Sequence, residues 1–126
     1  MHAIRTFVLA LLIAPTPLLA QSPAGQEIVL ADFSFTPASL HLKAEQPVTL
    51  HFVNRGSGGH NFAAPEFFAA ARIDRASAAV VKRGKVELAK GASTDVTLVP
   101  ARGHYHVHCS HLLHSGLGMT GDISVD

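Results

Sequence analysis

The sequence predicts an all-β fold: an antiparallel sandwich or barrel of about seven or eight short strands, with a short helical insert around residues 65–83. Three observations predict it. Apolar and polar residues alternate with a period of two in several separate runs. Gly, Pro, Asn and Asp punctuate those runs at short intervals. Hydrophobic residues make up 48% of the 126 and charged residues 15%, which supplies one packed core and is far from a disordered composition.

Residues 21–26, Gln-Ser-Pro-Ala-Gly-Gln, read as a polar lead-in. Glu27 to Phe35 is rich in β-formers. Leu40 and Leu42 alternate with His41 and Lys43 before the turn Glu45-Gln46-Pro47. Val48, Leu50 and Phe52 alternate with Thr49 and His51, the pattern of a half-buried strand. Asn54 to Gly59 is a glycine-rich loop. Pro65 suits a helix start, and Glu66 to Ala71 is rich in Ala and Phe, so a short helix is expected there. Val86 with Leu88, and Val96 with Leu98, alternate with polar neighbours. Tyr105, Val107 and Cys109 share one strand face, and Ile123 and Val125 close the chain. The folded domain is expected over residues 27–126.

Residues 1–20 read as a leader. Arg5 supplies a positive start, Phe7 to Ala14 is an apolar run broken by Pro15 and Pro17, and Leu18-Leu19-Ala20 ends on a small residue. This is the pattern of a secretory signal peptide cleaved after Ala20. The run is shorter than the ~20 residues a membrane span needs. The expected location is the periplasm of a bacterium, with no span in the mature chain. Of ten basic residues and nine histidines, the leader holds Arg5 and His2, so nine basic, nine acidic and eight histidine residues remain.

A formal net charge of +1 points to no nucleic-acid partner. The sequence has no Lys/Arg run and no phosphate-cradling glycine motif. No serine, carboxylate or lysine constellation argues for hydrolysis, so no enzymatic role is expected.

The chemistry gathers near the C-terminus, in His104-Tyr-His106-Val-His108-Cys109-Ser-His111-Leu-Leu-His114-Ser-Gly-Leu-Gly-Met119. An oxidising compartment favours disulfides, yet Cys109 is the one cysteine. Standing among five histidines, it reads as a metal ligand. A thiolate, an imidazole and a thioether in this order match a His₂Cys trigonal site with a weak axial Met, which suits copper. A second imidazole must come from a distant strand end, and His60, after Gly58-Gly59, is the best placed. His111 competes with His114. It follows Cys109 by two residues, a short span for both side chains to meet one metal, so His114 is preferred. His104, His106 and His108 alternate with the inward residues and form an outer stripe, a second place where a metal could bind.

Gly58-Gly59-His60-Asn61 and Cys109-x4-His114-x4-Met119-x-Gly121 resemble the cupredoxin family of type 1 blue copper proteins, of plastocyanin or azurin type. The resemblance implies a Greek-key β-sandwich with one copper ion held at one pole by His60, Cys109, His114 and Met119. It implies that Asn61 ties the two ligand loops together. It also implies, in an azurin-like site, that the Gly59 carbonyl approaches the copper. The C-terminal motif is similar as well to the end of multicopper oxidases. Those enzymes place a His directly after the Cys, where this chain has Ser110, and use several domains.

The expected function is single-electron transfer by copper cycling between Cu(II) and Cu(I). Leu112, Leu113, Gly116 and Leu117 would form an apolar patch around His114 for transient docking with redox partner proteins, the chain itself being a monomer. A copper carrier or buffer using the extra histidines is the alternative, and a structural zinc or thiol role the third.

Overall fold

Along Val48–Asn54 the side chains alternate between buried and half-buried, so the period-2 pattern of the sequence is the pleat of a strand with one face on the core. The computed structural model describes residues 14–16 and 22–126; the expected leader, apart from 14–16, lies outside the described residues. Eleven strands form among the described residues. They are β1 (Ala24–Ala31), β2 (Ser34–Thr36), β3 (Ser39–Leu42), β4 (Val48–Asn54), β5 (His60–Ala63), β6 (Arg72–Ile73), β7 (Val81–Lys82), β8 (Lys85–Leu88), β9 (Ser93–Val99), β10 (Gly103–His108) and β11 (Thr120–Val125). One helix, α1, spans Pro65–Ala70, and a single 3-10 turn spans Ser115–Leu117.

The strands make two sheets, ordered β2-β1-β4-β9-β6 and β3-β11-β10-β5-β8-β7. Ile28, Leu30, Leu50, Phe52, Val96 and Leu98 line the inner face of the first. Leu40, Phe62, Val86, Leu88, Val107 and Ile123 face them from the second. Phe62 sits at the join, with ring centroids 5.5 Å from Phe35 and 4.9 Å from Phe52. Such offset aromatic contacts add to the burial of apolar area that drives the fold.

The all-β sandwich with a helical insert is the fold the sequence predicts, with three differences. The extra strands are β2, β6 and β7, two or three residues each, too short to show alternation. Two pairs are parallel, β1 with β4 and β3 with β11, because the chain crosses to the other sheet before each partner forms. Ala24 to Gln26 are strand rather than lead-in, since their backbone pairs with Val48 to Leu50.

Helix α1 has six residues and no side-chain cap at Ala64, so tertiary contact rather than propensity holds it. Pro65 starts it, and Phe67 and Phe68 bury its inner face. Gly84 (φ 72°) lies against it; a Cβ there would stand 2.5 Å from the Pro65 Cα, so only glycine fits.

Candidate metal centre

The site lies where β5 and β10 reach one end of the sandwich. β5 is a central strand, paired with β8 and β10, and all four of its residues are buried. His60 opens it and is 2% exposed. Cys109 directly follows β10 and is buried as a free thiol. Met119 precedes β11 and is fully buried. The backbone closes the loop between them. The Cys109 N–H donates to the Met119 carbonyl at 3.1 Å, and the Met119 N–H donates to the His114 carbonyl at 3.0 Å.

The fold brings His60, Cys109 and His114 together: one donor atom from each lies within 4.8 Å of the others, a grouping found only here among the described residues. His60 Nδ1 is 3.1 Å from His114 Nδ1, and Cys109 Sγ is 3.3 Å from His114 Nδ1. Donors each about 2.0–2.3 Å from one metal ion stand roughly 3–4 Å apart, so the spacing fits a shared ion. Two imidazoles and a thiolate, with the thioether of Met119 on the same loop, are the donor chemistry of type 1 copper. Partial desolvation, then His60 and His111, hold the His114 imidazole below its ordinary pKa, which favours the neutral ring that can bind a metal.

Two asparagines lock the loops. The β5–β10 ladder pairs His108 with Ala63, and beyond it the Asn61 side chain takes over. Asn61 Oδ1 accepts from the Ser110 N–H at 2.9 Å, and its Nδ2 donates to Ser110 Oγ at 2.8 Å and Glu87 Oε2 at 2.9 Å. Its own N–H points at Cys109 Sγ, 3.5 Å away. Asn61 thus ties the segment that starts at His60 to the one that follows Cys109. Asn54, buried at the end of β4, accepts from the Gly56 N–H at 2.9 Å and donates to the carbonyls of Gly58, Leu88 and Ala89. It holds the loop that delivers His60.

Asp32 and Phe33 reach the site from the opposite sheet. They form the two-residue turn between β1 and β2, where the sequence suggested continuous β-structure through Phe35. Phe33 has φ 61°, a left-handed conformation that costs a bulky residue about 1–3 kcal/mol. The turn escapes sequence reading because Phe is no turn former. Asp32 Oδ1 lies 3.0 Å from His60 Nε2 and accepts from the Ser57 N–H at 2.9 Å. Bonding from Ser57, then His60, lowers the Asp32 pKa to about 2. The Phe33 ring meets His114 edge-on at 5.4 Å.

His111 turns elsewhere. Its Nε2 pairs with the Glu87 carboxylate, while its ring packs 5.3 Å from His114. His106 and His108 stack at 5.8 Å on the outer strand face and, with His104 and Glu66, line a surface cavity of about 280 Å³. Leu112, Leu113 and Leu117 are exposed on the loop that carries His114, and Phe33, also exposed, lies against the His114 ring.

Fold and donor set together define a two-sheet β-protein with a mixed sulfur and imidazole metal site. The family model for the cupredoxin-like domain matches residues 3–123, and the chain belongs to that family. Copper is the cofactor that family and donor set define. No curated protein matches the sequence significantly. Among solved structures, auracyanin B is 25% identical with a TM-score of 0.59, covering 86% of this chain and 93% of its own. Auracyanin A from Chloroflexus aurantiacus, described as a blue copper protein, is 25% identical with a TM-score of 0.57, covering 83% of this chain and 100% of its own. A multicopper oxidase from Campylobacter jejuni, a metallo-oxidase, reaches a TM-score of 0.63 at 14% identity over 84% of this chain and 31% of its own, a likeness of fold alone. Among the described residues no helix is long and apolar enough to cross a membrane.

Proposed function

We propose that the chain is an exported single-electron carrier whose one copper ion is held by His60, Cys109, His114 and Met119. The observation that carries the reading is the donor triangle His60–Cys109–His114, assembled from the start of β5 and the loop between β10 and β11. Copper there supplies a one-electron Cu(II)/Cu(I) couple. The chain's own residues do the rest. Cys109 offers a soft sulfur and the two imidazoles offer borderline nitrogen, so neither oxidation state is excluded. Asn61 donates its N–H toward the sulfur and bonds Ser110, which keeps the ligand segments in one arrangement through each cycle. His114, bordered by exposed Leu112, Leu113 and Leu117, is the ligand nearest a docking partner, and a small apolar patch suits a brief encounter.

The likeness to auracyanin A, itself described as a blue copper protein, supports this reading, and the leader pattern of residues 1–20 supports export. Residues 27–126, extended at the start by Ala24 to Gln26, form the working domain. The copper-carrier alternative is weaker, because among the described residues three donors converge at one place only. Copper titration with voltammetry tests the choice. We expect one copper per chain and a reversible one-electron couple. Several coppers per chain, handed to an apoprotein without a reversible couple, would favour the carrier.

A further inference from the structure

The far side of the His60 ring, away from the donor triangle, is occupied by a carboxylate. His60 turns Nδ1 toward His114 and Nε2 toward Asp32 Oδ1, 3.0 Å away. A carboxylate accepts only, so it selects the tautomer with hydrogen on Nε2 and leaves the Nδ1 lone pair facing the donors. His60 is nearly fully buried, so few other partners could do this. Asp32 is itself held, since the Ser57 N–H donates to the same oxygen at 2.9 Å.

Two further features favour this contact. Gly56 stands over it. A Cβ there would lie 2.7 Å from Asp32 Oδ1 and 2.7 Å from His60 Cδ2, so any larger residue would push the pair apart. The turn that presents Asp32 carries the strained Phe33, whose ring abuts His114. One two-residue turn therefore touches both imidazoles, and its unfavourable backbone serves the site it braces.

We infer that Asp32 is a positioning residue for the copper site, fixing the His60 tautomer through Nε2 and placing a negative charge behind the ring that lowers the reduction potential. The inference rests on the copper reading above. A carboxylate behind a ligating imidazole raises its basicity, and removing such a partner costs about 10–100-fold in metal affinity. The negative charge favours the more positive oxidation state, Cu(II), over Cu(I).

The experiment compares the full chain with Asp32→Asn, Asp32→Ala and Gly56→Ala. Nitrogen-15 NMR of the apoprotein reads the His60 tautomer without any copper. We expect hydrogen on Nε2 in the parent and in Asp32→Asn, whose amide oxygen still accepts, and mixed tautomers in Asp32→Ala and Gly56→Ala. Titration with Cu(II) and Cu(I) should show Cu(II) affinity about 10–100-fold lower in Asp32→Ala. In Asp32→Asn the Cu(II)/Cu(I) affinity ratio should fall about tenfold, a rise of ~59 mV for one electron. An unchanged tautomer in Asp32→Ala, or Cu(II) and Cu(I) affinities and their ratio within twofold of the parent in every variant, a potential shift under about 18 mV, overturns the inference. If Asp32→Ala does not fold, the near-isosteric Asp32→Asn still decides through its potential. A parent without a Cys-to-copper absorption band would refute the copper reading instead, and the apoprotein tautomer distinguishes the two failures.

Discussion

His60 and His114 point the same ring atom at the same place from opposite surroundings. His60 is 2% exposed, opens a central strand, and is braced by Asp32 behind it and by the Asn54-held loop before it. His114 stands on a loop whose neighbour Leu112 is 87% exposed. Its ring rests on Phe33 and His111, and its carbonyl bonds the Met119 N–H. The difference separates two tasks. On the proposed reading, the buried side sets the geometry and the exposed side is where a redox partner would dock.

The largest effect should come from deleting each ring in turn. In His114→Gly, free imidazole can enter from the solvent side and restore the visible band of the copper-loaded protein. In His60→Gly the space is enclosed, and imidazole should restore little. Equal rescue in both variants would break the contrast.

Stability should divide in the same way. Phe62→Ala, two residues along β5 from His60, removes a ring packed on Phe35, Phe52 and Phe68, and should cost about 3–5 kcal/mol in denaturant unfolding of the apoprotein. Asn54→Ala leaves the buried Leu88 carbonyl of β8 and the part-buried Gly56 N–H of the loop before His60 without their partner, and should cost about 1–3 kcal/mol. On the exposed side, Leu112→Ser and Leu117→Ser should change stability by less than about 0.5 kcal/mol. They should still weaken docking about tenfold, equivalent to ~1.4 kcal/mol, read as slower electron exchange with a partner. A large stability loss in the leucine variants would mean that the patch is structural.

Sequence reading reached the exposed side and the donors more readily than the brace. Cys109, His114 and Met119 lie within one short segment, and His60 follows a glycine-rich loop, so spacing and residue chemistry bring them to notice. Asn61 was visible beside His60 through family resemblance. Asp32 was not, because it lies 28 residues from His60 and meets it only when the sheets pack face to face. Gly56 looked like one more loop glycine, and its need to be small appears only against the Asp32–His60 pair. Asn54 carried a weak local signal, an Asx residue two positions before the Gly56 N–H it bonds. The parallel pairs β1/β4 and β3/β11 were hidden for the same reason as Asp32: alternation marks strands but not their partners.

The central claim is a Cys109 thiolate bonded to copper, and the visible absorption spectrum of the oxidised, copper-loaded protein tests it most directly, measured beside Cys109→Ser. We expect an intense charge-transfer band in the parent and none in the variant. A parent without that band, or a band that survives in Cys109→Ser, would contradict the account.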